Sequence, residues 1–267
     1  MRGVDTHTHL DFPQFDADRV GLIAALAAEE IGVINVATDW ESNQKVVDLA
    51  NNNDLVWGAV GLHPTEINPN TLADLTDQLA GLETLARSNQ KVVAIGEVGL
   101  DYYREESRSQ AETQKAVLRQ FLTLAAELNL PVIFHCRDAY GDLLTMLADY
   151  PKTMGVIHCF TGSADEAKKF LDLGLFISFT ATITYEANDN QRQTVATVPL
   201  EKMFLETDSP FLVPQARRGT RNDPRTILEV ARTIAAVKKV SEEEVLKQTT
   251  ANAIGFFGLA PKNQNQE

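Results

Sequence analysis

The chain has 267 residues, of which 44% are hydrophobic and 23% charged, and its formal net charge is −13. The composition is typical of a globular protein, and the length suits one (β/α)8 barrel. The acidic balance argues against a protein that coats nucleic acid, since such binding needs Lys and Arg on many phosphates. It does not exclude an enzyme that binds one end of a nucleic-acid strand, because bound metal ions add positive charge.

Two further features bear on location and redox chemistry. No apolar stretch reaches the about 18 residues of a membrane helix, and a strand-like run begins at residue 2 without a basic leader. We therefore expect a cytoplasmic protein with no membrane contact and no obligate protein partner. Cys136 and Cys159 are too few for a disulfide framework. We expect packed thiols facing the helix layer, with a metal or redox role as the alternative.

Eight short apolar runs predict strands at residues 2–5, 33–37, 56–60, 92–96, 132–134, 155–157, 176–179 and 203–205. Several are rich in Val and Ile without polar alternation, as in parallel strands buried on both faces. Helical patterns lie between them, and the clearest covers residues 114–128, where apolar residues recur with a period of 3.6.

Helix boundaries are also marked. Ser163 and Ser241 each stand three residues before a glutamate, which predicts two helix starts, and Gly174 and Gly258 suit the ends of those helices.

Alternating strands and helices predict an α/β fold, a (β/α)8 TIM barrel that spans residues 1–260 as a single domain. A doubly wound sheet is less favoured because no Gly-rich phosphate loop follows a strand. Residues 261–267, PKNQNQE, are predicted to form a polar tail.

Six side chains suited to metal binding follow the apolar part of five of these strands. They are His7, His9, Glu97, His135, His158 and Asp208. Carboxyl ends of barrel strands meet at one face, and the period of two puts His7 and His9 on the same side of their strand. The pattern predicts a site for two divalent ions. The alternatives are core or surface histidines, and a glutamate paired with arginine for structure.

We expect each ligand to have a distinct role. One ion would take His7, His9 and Asp208, the other would take His135 and His158, and Glu97 would bridge them. Glu97 and Asp208 are also the candidate catalytic carboxylates, with Asp208 handling the proton of a metal-activated water. Histidine ligands suit Zn²⁺ or Mn²⁺, whereas Mg²⁺ prefers oxygen, so the identity of the ions stays open.

Four neighbours complete the predicted site. Glu206 should be hydrogen-bonded to a ligand or a nearby hydroxyl, with direct ligation as the alternative, and Asp101 should support the pocket beside it. His63, in GLHP, is expected to contact substrate or phosphate, with metal ligation or a structural role as alternatives. Tyr102 could stack on a base.

Basic residues cluster in the loops that should border the same mouth: Arg104, Arg108, Arg137, Arg217, Arg218 and Arg221. Arginine binds phosphate oxygens through two parallel hydrogen bonds. We assign substrate contacts to Arg104, Arg137, Arg218 and Arg221, and the alternative is a set of solvated charges.

The segments DTHTHLDFPQFDADR, GLHP, GEVGLDYY, PVIFHCRDA, IHCFTGS, LETDSP, RRGTRNDP and NAIGFFGL resemble the ordered motifs of TatD-type metal-dependent deoxyribonucleases, in the amidohydrolase-like superfamily. The match covers residues 4–259. The resemblance implies a TIM barrel, a divalent-metal site on the same six residues, and hydrolysis of DNA phosphodiesters. Thr8, Thr161 and Thr220 depart from residues frequent in the family, and Thr220 puts one phosphate contact in doubt.

The expected activity is a divalent-metal-dependent deoxyribonuclease, a 3′-to-5′ exonuclease on single-stranded ends, with RNA as a further substrate and DNA repair as one setting. The first alternative is a hydrolase of a small lactone, amide or phosphoester with the same site. The second is a metal-binding protein without catalysis.

Overall fold

The computed structural model describes residues 1–259, and their strands form one eight-stranded sheet in the order β1 to β8. The strands are β1 Gly3–Thr8, β2 Ile31–Val36, β3 Val56–Val60, β4 Val92–Asp101, β5 Val132–Arg137, β6 Gly155–Ile157, β7 Phe176–Phe179 and β8 Met203–Leu205. Each strand pairs in parallel with the next. The predicted tail at 261–267 lies outside the described residues.

Hydrogen bonds between β1 and the segment after β8 close the sheet into a barrel. Thr8 forms a parallel bridge with Ser209. The backbone N–H of His9 donates to Ser209 over 2.8 Å, and that of Asp208 donates to His7 over 2.9 Å. The predicted TIM barrel is therefore confirmed, and its closure brings residues about 200 positions apart in the chain into contact.

Ten α-helices are assigned within residues 1–259. They are α1 Arg19–Ala28, α2 Trp40–Asn51, α3 Thr71–Ser88, α4 Glu105–Arg108, α5 Ala111–Leu128, α6 Tyr140–Ala148, α7 Ala164–Asp172, α8 Asp189–Thr197, α9 Ile227–Lys238 and α10 Glu242–Phe257. Ser163 and Ser241 cap α7 and α10 as predicted. Gly258 ends α10 at a φ of 65°, a conformation that glycine adopts without strain. None of these helices is long and apolar enough to cross a membrane.

The apolar core has two layers. The larger cluster lies between the sheet and the helices and includes Phe134 and Cys136, as predicted for a packed thiol. The smaller one includes Ile133 and Phe204. Because strand side chains alternate, these two residues point the same way as His135 and Glu206, two positions further on. The inner cluster therefore fills the barrel beneath the candidate site.

The fourth strand is longer than predicted. It continues to Asp101, so Glu97 lies within the strand and does not end it. Residues 98–101 pair with residues 134–137 of β5, which is also longer than predicted. Pairing with a neighbour, which the local pattern does not contain, extends both strands. It carries Asp101 to the level of the histidines.

Candidate metal centre

The six predicted ligands converge at the carboxyl ends of the strands, in two connected groups. In the first, His9 Nε2 lies 3.3 Å from His7 Nε2 and 3.3 Å from Asp208 Oδ1. In the second, His135 Nδ1 and His158 Nε2 each lie 2.7 Å from Glu97 Oε1. The other oxygen of Glu97, Oε2, lies 3.3 Å from His7 Nε2. Glu97 thus touches both groups, as a bridging carboxylate would.

The imidazole rings of His9 and His135 are each oriented by a hydrogen-bond partner at the nitrogen that faces away from the site. Nδ1 of His9 donates to the carbonyl oxygen of Val36 over 2.8 Å, which leaves the Nε2 lone pair facing the site. Nε2 of His135 lies 3.0 Å from Asp101 Oδ2, so this ring presents Nδ1. Such partners fix the tautomer and position of metal-ligating histidines. Asp101 therefore lies in the supporting position expected of it.

Glu206 supports the site from below. Its carboxylate accepts the backbone N–H of Cys159 and lies 3.6 Å from His158 Nδ1. It belongs to none of the three groups of residues whose donor atoms lie within 4.8 Å of one another. The geometry argues against direct ligation, and the hydrogen bond of Glu206 goes to the backbone beside His158 and not to the imidazole ring itself.

His63 is closer to the ligands than a peripheral substrate contact would be. Its Nε2 lies 3.1 Å from His135 Nδ1 and 3.5 Å from Glu97 Oε1. Its Nδ1 accepts the backbone N–H of Thr65, so the neutral ring carries its proton on Nε2, towards the site. Burial lowers the pKa of His63 to about 3, which keeps the ring neutral. This tautomer offers a hydrogen-bond donor and no lone pair for a metal.

Charges in the site perturb each other strongly. Burial alone would raise the pKa of Glu97, but the surrounding histidines outweigh it and hold that pKa well below its usual range. Asp208 likewise has a lowered pKa because of His9. Burial alone would lower the pKa of His9, but Asp208 outweighs it and raises the value to about 9. Both carboxylates are therefore ionised at neutral pH.

The donor set fits divalent metal ions. Zinc binds histidine nitrogen and carboxylate oxygen at about 2.0–2.2 Å, so two ligands of one ion lie roughly 3 Å apart, as the donor pairs here do. The groups that could hold an ion are His7, His9 and Asp208; His7, Glu97 and His158; and His63, Glu97 and His135. In the last of these groups, the tautomer of His63 argues against His63 as a ligand.

The cluster opens into a cavity of about 260 Å³. Its walls include Phe12 and Phe211, two aromatic side chains that were not predicted from the sequence. Each stands three residues after a predicted ligand, His9 and Asp208. This equal spacing from two predicted ligands is the sequence feature from which both residues could have been predicted.

The predicted arginines line the rim unevenly, and none of them lines the cavity itself. Arg221 pairs through both guanidinium NH2 groups with Asp18 at 2.7 Å, and Arg217 pairs with Glu229 at 2.7 Å. Within residues 1–259, Arg104, Arg137 and Arg218 form no ion pair. Arg104, Arg137 and Arg218 are therefore free to bind an anion, whereas Arg221 is already paired with the carboxylate of Asp18.

After the fourth strand, Tyr103 and not Tyr102 presents its ring to solvent, contrary to the prediction that Tyr102 could stack on a base. The hydroxyl of Tyr102 donates to Asp142 over 2.9 Å, and its ring packs against the core. Tyr103 is exposed instead, and the guanidinium of Arg137 lies 3.6 Å from the centre of its ring. Tyr102 is thus unavailable for stacking on a base.

Known proteins share this sequence and architecture. A family model described as TatD related DNase matches residues 4–258. The uncharacterized metal-dependent hydrolase YabD of Bacillus subtilis (strain 168) is 35% identical over 259 residues, which cover 96% of this chain and 98% of YabD. A protein of Klebsiella pneumoniae (strain 342) named 3'-5' ssDNA/RNA exonuclease TatD is 34% identical over 263 residues, or 96% of this chain and 97% of that protein.

A solved structure shares this fold over nearly the same span. The crystal structure of YjjV, a TatD homolog from Escherichia coli K12, has a TM-score of 0.88 at 32% identity and covers 96% of this chain and 98% of that one. Fold, site and relatives together define a metal-dependent hydrolase on a TIM barrel. The chain belongs to the TatD-related DNase family.

Proposed function

We propose that this chain hydrolyses phosphodiester bonds at the 3′ end of single-stranded DNA, in the 3′-to-5′ direction, with RNA as a second substrate. The observation that carries the proposal is the convergence of six nitrogen and carboxylate donors on the floor of an open cavity in a TatD-related chain. The printed name of the Klebsiella relative supports the polarity and the choice of substrates.

The size of the cavity favours a strand end as the substrate. At about 260 Å³, it lies near the lower limit of small-ligand sites, which is roughly 300 Å³. A cavity of this size has room for one terminal nucleotide of a single strand. We therefore infer exonuclease action, which removes one terminal nucleotide at a time.

Two divalent ions fit the donor set. The residues that would hold them are His7, His9 and Asp208 for one ion and His135 and His158 for the other, with Glu97 between them. When bound, such ions lower the pKa of water and neutralise negative charge on phosphoryl oxygens. Four imidazoles favour Mn²⁺ or Zn²⁺ over Mg²⁺, which prefers oxygen ligands.

The carboxylates would handle the proton of the reaction. A water oxygen bonds to phosphorus as the P–O3′ bond breaks, Asp208 accepts a proton from the water, and the leaving 3′-oxygen takes a proton from solvent to become the 3′-hydroxyl of the shortened strand. Its lowered pKa keeps Asp208 ionised and ready to accept, and its half-buried position on the cavity wall leaves it accessible. Glu97, fully buried between the histidines, holds the negative charge that keeps the rings in place.

Neutral His63 and the rim arginines would bind the phosphates. His63 lines the cavity, and its Nε2–H can donate to a phosphoryl oxygen bound beside the ligand cluster. Arg137 and Arg218, each stacked on a tyrosine ring, hold a guanidinium without an acidic partner in the described chain. We assign them, with Arg104, to the backbone of the incoming strand. Arg221 is less suitable because Asp18 already neutralises it.

The test is a nuclease assay on metal-stripped protein with Mg²⁺, Mn²⁺ or Zn²⁺ added back. We expect a 5′-labelled single-stranded oligonucleotide to shorten stepwise, and a 3′-labelled one to release its label in the first step, only when an ion is present. A panel of lactones, amides and phosphotriesters is assayed in parallel. Turnover of that panel with intact DNA would end the nuclease proposal in favour of a small-molecule hydrolase.

A contaminating nuclease is excluded with two variants purified in the same way. His135→Ala and Asp208→Ala each remove one proposed ligand and should abolish turnover. Unchanged activity in both would place the reaction elsewhere. The cytoplasmic location and the setting in DNA repair stay predictions from the sequence.

A further inference from the structure

The mouth of the cavity carries an aromatic pair for which the hydrolytic step has no use. The ring of Phe12 stacks on that of His9, with 4.8 Å between centroids and 21° between planes. The ring of Phe211 meets Phe12 edge-on at 6.0 Å and 79°. Both residues line the cavity on the side of His9 and Asp208. They form a continuous apolar wall next to the proposed phosphate position.

Phe211 is exposed although its backbone is held in place. Its side chain is 46% exposed, while its N–H donates to the carbonyl of Asp208 over 2.9 Å, and Asn222 N–H donates to Pro210 over 3.1 Å. Within residues 1–259, Phe211 and Tyr103 are the two aromatic residues among the large hydrophobic side chains that are exposed to solvent. A large apolar ring kept in solvent by a tethered loop, in the wall of a cavity, is typical of a ligand-binding surface.

The two sides of the cavity differ in chemistry. Phe12 and Phe211 make one wall apolar, whereas Thr38, Thr65 and Glu66 make another polar. A terminal nucleotide has the same asymmetry, because a flat nucleobase is joined through one sugar to a charged phosphate. With its phosphate at the ligand cluster, its base falls within reach of a wall that begins at His9.

We propose that Phe12 and Phe211 form a stacking surface for the nucleobase of the terminal nucleotide. This inference rests on the proposed nuclease function and adds to it the part of the substrate that the cavity recognises. Stacking on an aromatic ring is open to every base, because each base has a π-face. The site should therefore require a base at the strand end while discriminating little between the four.

The test compares two single-stranded oligonucleotides that differ only at the 3′ end, one with thymidine and one with an abasic tetrahydrofuran residue. Phe211→Ala should lower kcat/KM on the thymidine end by about 5- to 150-fold, the range for loss of one base–aromatic stack. On the abasic end, the variant and the wild type should agree within about twofold. Wild-type protein should itself prefer the thymidine end.

Two further substitutions separate stacking from a loss of apolar surface. Phe211→Trp keeps a flat ring and should retain the preference for a base. Phe211→Leu keeps apolar bulk without a flat ring and should lose it. Leu72→Ala is the matched control, because Leu72 is also 46% exposed and does not line the cavity. It should change neither substrate.

Binding provides a readout that does not depend on turnover. Fluorescence anisotropy of 5′-labelled oligonucleotides with hydrolysis-resistant phosphorothioate ends should show the same loss of affinity for Phe211→Ala, confined to the base-bearing end. Equal losses on both ends would mean that the ring only supports the loop, and no loss would mean that the base binds elsewhere; either overturns the inference. If the wild type degrades neither oligonucleotide, the nuclease proposal itself fails, which is a distinct result.

Discussion

The two ends of the barrel bury ionisable side chains in opposite ways. At the amino-terminal end, Lys91 is 5% exposed. Its ammonium group donates to three main-chain carbonyls at 2.6–3.3 Å and lies 4.6 Å from the centre of the Trp57 ring. The protein itself supplies every partner that this buried cation needs, as a structural charge requires.

At the carboxyl end, acids and bases face one another without a complete set of partners. Nδ1 of His7 and of His158 has no hydrogen bond within residues 1–259, and four imidazoles share two carboxylates at 2.7–3.8 Å. Such a cluster is satisfied best by a bound ion. The comparison indicates that one end contributes stability in every state, whereas the other contributes most when its ligand is present. This division is typical of TIM barrels.

The largest expected effect is on kcat, from a substitution that perturbs only the carboxyl end of the barrel. Asp208→Asn keeps the size of the side chain and removes its charge, so kcat on single-stranded DNA should fall by about 10²- to 10⁴-fold, while the melting temperature of metal-free protein changes by only a few degrees. The surface substitution Asp172→Asn, which makes the same chemical change in an exposed ion pair, should leave kcat unaltered. Full activity in Asp208→Asn would remove this carboxylate from the reaction.

The converse experiment breaks the amino-terminal end. Lys91→Met keeps the aliphatic chain but removes the ammonium donor to three main-chain carbonyls, one of them the buried carbonyl of Val56. The free energy of unfolding should drop by about 2–4 kcal/mol, and kcat per folded molecule should stay within twofold. Urea unfolding and initial rates below the transition measure the two. A variant that keeps its stability and loses its activity would contradict the division between the ends.

The third prediction concerns pH in metal-free protein. The pKa of His9 is raised to about 9, through Asp208, against the effect of burial. A histidine whose pKa is higher in the folded than in the unfolded protein stabilises the fold, and the effect is complete at pH values below its unfolded pKa of about 6.5. This contribution, on the order of 1–3 kcal/mol, is lost as the pH rises through 9. Thermal unfolding should show the decline between pH 7 and 9.

Loading the site should reverse that dependence. A metal ion displaces the proton from His9, so binding of Mn²⁺ at pH 7.5 should release protons, and the loaded protein should not weaken towards pH 9. Titration calorimetry in buffers of different ionisation enthalpy measures the release. His9→Gln is the control and should flatten the pH dependence of the metal-free protein; an unchanged slope there would assign the effect to other groups.

The smallest effect distinguishes two arginines of the same rim. Arg218→Ala should raise KM by about 3- to 10-fold and reduce the salt slope of strand binding by roughly 0.7, the value for one phosphate contact on a single strand. Arg221→Ala should leave KM within about twofold and cost at most about 1 kcal/mol of stability, because it breaks a surface pair with Asp18. Equal losses of affinity would mean that Arg221 leaves Asp18 for the substrate.

The sequence predicted most of the fold because the signals were local. Apolar runs marked all eight strands, and serine–glutamate spacing marked the starts of α7 and α10. The extension of β4 to Asp101 was missed because it depends on pairing with β5. Likewise, the pairing of Arg221 with Asp18, 203 positions away, has no signature in either segment.

The sequence by itself determined which chemistry the site can perform, since the order of strands and the imidazole and carboxylate groups that follow them are properties of short segments. The tertiary structure decided how that chemistry is arranged: that His135 presents Nδ1 because Asp101 holds its Nε2, that His63 presents an N–H, and that Phe12 and Phe211 meet at the cavity wall. The physical reason is that ring orientation and side-chain availability depend on partners that only the closed barrel brings within hydrogen-bonding or van der Waals distance.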